Sequence, residues 1–262
     1  MAWLDHQGIG LHWREDGDPD GQPVVFLNSL GTDLRLWDDV VLRLPDGVRL
    51  IRMDTRGHGL SDAPNAAYSL DDLTEDAGAL LDHLALSDVT IVGVSLGGMM
   101  AQALAVARPQ QITRLVLSNT AVRMGTKEMW QSRIAAVESG GVASISDAVL
   151  DRWFAPGFRA DASFGMWRNI LDRTPDHGYA ACCAALAQAD LSDTTPGIVQ
   201  PTLVISGSKD GASPPEIVQR LAELIPGAEY HEMQGVGHLP MAEDPDRFVA
   251  LLQNFLQKET FQ

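Results

Sequence analysis

Strand-period and helix-period segments alternate along this chain, and that alternation limits the folds open to it more than any other feature. After a predicted N-terminal hairpin of "GLHWRED" with "PVVFLNS", "DLRLWDDVVLRL" reads as a helix, "VRLIRMD" as a strand and "SLDDLTEDAGALLDHLAL" as a helix. In that last segment Leu73, Ala77, Leu80, Leu81 and Leu84 share one face, and Ser69 with Asp72 forms a capping-box pattern. Strand "VTIVGVS", helix "GGMMAQALAVARP" and strand "ITRLVLSNT" follow. From about Val122 to Thr195 only helical patterns occur, among them "TKEMWQSRIAAVESG", "VASISDAVLDRWF", "ADASFGMWRNILDRT" and "GYAACCAALAQAD". Alternation then resumes with "PTLVISG", "PPEIVQRLAELI", "AEYHEM" and "DPDRFVALLQNFLQK". Such an order predicts an α/β fold, a mostly parallel central sheet flanked by helices with right-handed crossovers. The expected division is a core of residues 1–121 and 196–262 and an all-helical lid, or cap, of residues 122–195.

Length and charge exclude several classes of function. A chain of 262 residues with 45% apolar content can bury a large core as one domain with an elaboration. A formal charge of −16 repels nucleic acid and anionic membranes, so neither is an expected partner. The opening "MAWLDHQGIGLHWRED" has no sustained apolar run, and no later segment approaches the length of a membrane span. Cys182 and Cys183 adjoin in a helical pattern where an ordinary disulfide is sterically awkward, which fits a reducing cytoplasm. "DGDPDG" copies the start of a calcium loop, yet its twelfth position falls on Leu27 where a glutamate is required, so no metal is expected there.

Chemistry enters with Gly93-Val94-Ser95-Leu96-Gly97, a GxSxG string where a strand meets a helix. A serine on that tight turn projects above the sheet at a helix N-terminus, where negative charge is favoured. The hydroxyl needs a base, and the base an orienting acid. Asp210 follows strand "TLVISG" and His238 lies in "QGVGH" after strand "AEYHEM", which gives the chain order serine, acid, histidine. His58, His231, His6, His12, His83 and His177 lack that placement and are assigned structural or solvated roles. Asp244, beside Pro245, suits a helix cap better than a catalytic acid. The backbone N–H groups of Leu96 and of Leu30, in "LNSLGTD", are the expected oxyanion donors, with Gly31 allowing a close turn.

With these residues placed, the chain resembles an α/β-hydrolase over essentially its whole length. Within that superfamily it is similar to the 3-oxoadipate enol-lactonases of aromatic-compound breakdown, through "LNSLGTDLRLWD", "DTRGHGLSDAP", "LSNTAVRMG" and "MWQSRI". The resemblance implies cofactor-free hydrolysis of a small anionic enol-lactone to 3-oxoadipate, and it supports Ser95, Asp210 and His238 as a triad with Leu30 and Leu96 as donors. Such a substrate needs an anchor for its free carboxylate. Arg133 is the first candidate, with Trp130 three residues earlier as a pocket wall; the alternative is an exposed arginine beside a packed tryptophan. The same triad also serves carboxylesterases, C–C bond hydrolases and perhydrolases, and a hydrolase scaffold can hold a ligand without turnover. Haloalkane dehalogenases and epoxide hydrolases are disfavoured because they place aspartate where this chain has Ser95. A homo-oligomer is neither required nor excluded by the sequence.

Overall fold

The computed structural model describes residues 2–258. Eight strands form one sheet: β1 (Ala2–His6), β2 (Ile9–Gly17), β3 (Gln22–Leu27), β4 (Val48–Met53), β5 (Val89–Val94), β6 (Ile112–Ser118), β7 (Thr202–Gly207) and β8 (Glu229–Met233). Their spatial order is 1-2-4-3-5-6-7-8. Strand β2 runs antiparallel to β1 and β4, and every pairing from β4 through β8 is parallel. All residues of β5 and β7 are buried, as expected of strands covered on both faces. Edge strand β8 keeps His231 and Glu232 exposed.

Helices α1 (Asp38–Val41), α2 (Leu70–His83) and α3 (Leu96–Ala107) belong to the first half of the sheet. The Ser69–Asp72 capping box of α2 is formed, and Leu73, Ala77, Leu80 and Leu81 are buried, with Leu84 at the C-cap. Helix α3 packs on β3, β5 and β6 and against α2. Between β6 and β7 lie α4 (Lys127–Gly140), α5 (Ser146–Trp153), α6 (Phe164–Asp172) and α7 (Asp176–Gln188), with no strand among them. Within this stretch α4 packs on α7, and the rings of Phe154, Phe158, Phe164 and Trp167 form an aromatic cluster. A bond from Leu191 N–H to the Val122 carbonyl, 2.9 Å, joins its two ends. The second half adds α8 (Pro215–Leu224) on β7 and β8, the single turn α9 (Pro240–Glu243), and α10 (Pro245–Leu256). Asp244 caps α10 by accepting the Arg247 N–H, and Phe248, Leu252 and Phe255 are buried beneath that helix. Residues 1 and 259–262, the ends of the expected core ranges, lie outside the described residues.

Three local expectations are corrected. The N-terminal hairpin is β1 with β2, because Gln7 and Gly8 both have positive φ (55° and 79°), the backbone of a two-residue turn that matches strand twist. Strand β3 does not pair with β2, since β4 lies between them and bonds to both. "DLRLWDDVVLRL" supplies only a 3₁₀ turn at Leu34–Trp37 and the one turn of α1, because tertiary partners claim its first groups: Leu34 donates its N–H to Asp54 (2.7 Å) and its carbonyl accepts from Arg52. "ADASFGMWRNILDRT" is α-helical only from Phe164 to Asp172.

Arg56, in the loop after β4, forms an ion pair with Asp76 of α2 at 2.7 Å, and the Asp76 side chain is 1% exposed. Removing one member strands a buried charge, whereas replacing both with apolar groups does not. Arg56→Met is therefore expected to lower stability by roughly 3 kcal/mol. Adding Asp76→Leu should recover most of that loss, as read from urea unfolding midpoints.

Candidate active site

Chain leaving β3 returns at β4 on one side, while chain leaving β5 returns at β6 on the other. In an open parallel sheet the crevice at such a reversal, beyond the carboxyl ends of the strands, is where ligands bind. Because β3 through β8 are parallel, their carboxyl ends share this edge. Ser95 follows β5, Asn119 follows β6, and the loops with Asp210 and His238 follow β7 and β8.

Ser95 sits at the N-cap of α3 with φ 56° and ψ −115°, a region that costs an L-residue strain. Its N–H donates to the Ser118 carbonyl at 3.0 Å. Close contacts explain the flanking glycines. A Cβ on Gly93 would lie 2.3 Å from the Gly97 carbonyl oxygen, and one on Gly97 would lie 2.3 Å from that of Leu27.

Asp210 and His238 meet beside this serine. The His238 Nδ1–H donates to Asp210 Oδ2 at 2.8 Å, with both side chains almost wholly buried. Further donors converge on the carboxylate: the N–H groups of Ala212 and Ser213 (2.6 and 2.9 Å), the Ser213 hydroxyl (2.5 Å) and Asn119 Nδ2 (2.7 Å). Burial alone would raise the Asp210 pKa, but the His238 charge and these hydrogen bonds outweigh it and hold the pKa below the ordinary 3.8. Ser95 and His238 line one cavity, though among the described residues no hydrogen bond joins the Ser95 hydroxyl to the ring.

Of the two expected backbone donors, Leu30 lines the same cavity and Leu96 directly follows Ser95 as the first residue of α3. Gly97 N–H bonds to the Asn28 carbonyl (3.0 Å), Thr32 N–H to the Ser29 carbonyl (3.1 Å) and Gly31 N–H to His58 Nε2 (2.9 Å). The N–H groups of Leu30 and Leu96 have no protein acceptor among the described residues. Gly31 has φ 80°, and a Cβ there would meet Leu171 at 2.7 Å. To accept from Gly31, His58 must be neutral at Nε2, and burial lowers its pKa to about 4.

Arg133 and Trp130 both line the cavity, with the guanidinium 5.1 Å from the Trp130 ring centroid. The indole is buried and donates to the Met124 carbonyl. A second guanidinium, Arg152, lines the same cavity, as does the buried Tyr179. Burial lowers the Arg152 pKa, and the nearby Arg133 charge lowers it further. The cavity volume is only about 30 Å³, room for a water or two. A larger cavity of about 580 Å³, lined by Leu34, Leu60, Ile170 and Arg173, lies apart from Ser95.

Sequence reasoning missed Asn119, Ser213 and Arg152. Asn119 closes β6 with φ 47°, so its position after a strand was a usable signal; Ser213 and Arg152 carried none. His12 has a structural role: it is 4% exposed on β2 and bonds to Asp54, in the loop after β4, at 2.8 Å. Asp54 and Arg56 do shape their loop by hydrogen bonding and charge pairing, as Leu34, Leu60 and His12 all donate to Asp54.

A family profile described as the alpha/beta hydrolase fold matches residues 22–245. The chain is 34% identical to 3-oxoadipate enol-lactonase 2 of Acinetobacter baylyi, over 94% of this chain and 92% of that protein. It is 31% identical to 3-oxoadipate enol-lactonase 1 of the same organism, over 97% and 95% of the two chains. The crystal structure of the enol-lactonase from Burkholderia xenovorans superposes with a TM-score of 0.95 at 38% identity, covering 98% of this chain and all of that one.

The His58 to Gly31 bond predicts a pH effect. The folded pKa of about 4 lies below the ordinary 6.5, so the contribution is fully present above pH 6.5 and is lost as the pH falls toward about 4. His58→Gln keeps an acceptor for Gly31 but does not titrate. Urea unfolding across that range should show a shallower decline for the variant, by up to about 3 kcal/mol.

Proposed function

The chain belongs to the alpha/beta hydrolase family and is a hydrolase of that fold, and from this premise we propose that it opens 3-oxoadipate enol-lactone to 3-oxoadipate through an acyl-enzyme on Ser95. The observation that carries the reading is one cavity holding Ser95, the His238 of a buried Asp210–His238 pair, and two guanidiniums, Arg133 and Arg152. The first three supply acyl transfer. The arginines suit a substrate with a free carboxylate, in a chain whose overall charge of −16 would otherwise repel it.

In this mechanism Asp210 fixes the His238 tautomer with hydrogen on Nδ1, which leaves Nε2 to accept the Ser95 proton. Substrate binding draws Ser95 and His238 into hydrogen-bond contact, since such bonds tighten in the reacting complex. Ser95 Oγ attacks the lactone carbonyl, and the oxyanion takes the N–H groups of Leu30 and Leu96. Collapse of the tetrahedral intermediate breaks the ring C–O bond. The leaving oxygen departs as an enolate, more stable than an alkoxide, receives the proton from His238, and tautomerises to the ketone. His238 then deprotonates a water, which hydrolyses the ester to the second carboxylate of the product and releases Ser95. Side chains and water provide every step, so the reaction needs no cofactor.

Residues 122–195 act in this reading as a cap on a core of residues 1–121 and 196–262. Helix α4 supplies Trp130 and Arg133, and α5 supplies Arg152. A cavity of about 30 Å³ cannot hold a lactone, so admission requires cap side chains to move. No helix among the described residues is long and apolar enough to cross a membrane. The free thiols of Cys182 and Cys183, both buried, support assignment to a reducing cytoplasm.

Purified protein offered 3-oxoadipate enol-lactone and a panel of neutral esters should prefer the lactone, with Ser95→Ala inactive on all of them. Preference for the neutral panel would overturn the lactonase assignment. Arg133→Ala should lower kcat/KM for the lactone by about 10- to 100-fold, the worth of a charged hydrogen bond, yet leave neutral esters within about threefold. Equal losses on both substrate types would remove Arg133 from the carboxylate.

A further inference from the structure

The short segment leaving α5, Arg152 to Ala155, is bonded to both loops that carry the proposed acid and base. Toward the acid, the Arg152 carbonyl accepts from Gly211 N–H (3.0 Å), and Arg152 Nε donates to the Gly211 carbonyl (2.9 Å). Toward the base, His238 N–H donates to the Trp153 carbonyl at 2.6 Å. One carboxylate completes the join. Glu243 of α9 accepts from Gly237 N–H (2.7 Å) and from Ala155 N–H (3.2 Å), so one side chain holds the residue before His238 and a residue of the helical insertion together.

We propose that Glu243 is a positioning residue for His238, its carboxylate clasping the His238 loop to the backbone that leaves α5. This rests on the reading of His238 as the general base. The loop cannot hold its shape through regular structure. It runs from the end of β8 to α9 without helix or strand, and it contains Gly235, at φ 85°, and Gly237. Gly237 must lack a side chain, because a Cβ there would lie 2.4 Å from the Trp153 carbonyl oxygen and 2.9 Å from Glu243 Oε1. Without Glu243 the N–H of Gly237 loses its acceptor in a crowded site, and the loop there is left held by the Val236 carbonyl on Lys209 N–H, the Gly237 carbonyl on Asn119 Nδ2 and the His238 N–H on Trp153. Burial, joined by the nearby Asp210 charge, raises the Glu243 pKa to about 7 against the pull of the two amides, so the group sits where solvation disfavours its charge. The clasp also gives the insertion a fixed point on the core at the place where Arg152 enters the cavity.

The test reads His238 without the lactone. A fluorophosphonate that labels activated serines reports the rate of Ser95 attack, and the far-downfield proton resonance of His238 Nδ1–H, assigned by its loss in His238→Gln, reports the imidazole directly. Glu243→Ala is expected to slow labelling at least tenfold and to shift or broaden the resonance. Glu243→Gln keeps one carbonyl oxygen for Gly237 and should fall between it and wild type. Leu80→Ala, a core truncation on α2, controls for lost stability and should label at the wild-type rate. A folded Ala variant, or the Gln variant should Ala not fold, that labels within about twofold of wild type with the resonance unmoved overturns the proposal. If wild type itself resists the probe, the serine-hydrolase mechanism fails, and the resonance alone judges the clasp: a shift supports it and an unmoved signal overturns it.

Discussion

Ser95 holds a backbone conformation that an L-residue adopts only at a cost of order 1–3 kcal/mol, and its surroundings leave it no other. The Ser118 carbonyl holds its N–H, and the Thr120 hydroxyl donates to its carbonyl at 2.7 Å. Gly97, two residues on, bonds to Asn28 in the loop after β3. The strained turn is thus also the point where β5, β6 and the loop bearing Leu30 are registered to one another. Relaxing it would displace the hydroxyl and both proposed oxyanion donors together. Gly93 and Gly97 serve this closeness, since each would place a Cβ within 2.3 Å of a backbone oxygen.

Charge is handled locally against the global field. A chain of −16 disfavours approach of an anionic lactone, and the two cavity arginines oppose that field at short range, where partial burial strengthens attraction. Burial is the main cause of the lowered Arg152 pKa, and repulsion from Arg133 adds to it. An incoming carboxylate relieves that repulsion. The proposed product carries a second negative charge, and the negative exterior favours its departure. Recognition and release therefore draw on opposite parts of one charge distribution.

Much of this was legible in the sequence because it depends on local pattern or chain order. The capping box at Ser69, the amphipathic faces of α2 and α10, the glycines around Ser95 and the order of Ser95, Asp210 and His238 all lie within short windows or follow from alternation. What was not legible depends on lateral neighbours. The partner of β2 is β4, three elements later, and no turn signal announces it. Asn119 reaches Asp210 only because β6 and β7 are adjacent, with Asn119 N–H on the Ile205 carbonyl. Ser213 matters because the chain after Asp210 folds back to offer two amides and a hydroxyl to one carboxylate. The burial of His12 was hidden for the same reason: a histidine on a strand is buried or exposed according to what lies beside that strand, and here Asp54, in the loop after β4, bonds to it. Arg152 faces the cavity through the packing of α5 on the loop of Gly211, a contact about sixty residues apart in sequence.

About 30 Å³ beside Ser95 is too small for a lactone, so side chains of the helical insertion must withdraw before substrate enters. The bonding pattern decides which part of the insertion can do so. The backbone of Arg152 and Trp153 is bonded to the loops of Asp210 and His238, so displacing α5 as a unit would pull the acid and base apart. Helix α4 has no such tie among the described residues. Its Trp130 indole donates to Met124 in the preceding loop, its N-cap is Thr126, and it packs on α7. Opening by a shift of α4 would move Trp130 and Arg133 while Arg152 stays with the core. In the proposed reaction the substrate carboxylate would then meet Arg152 held by the core and Arg133 carried by the insertion.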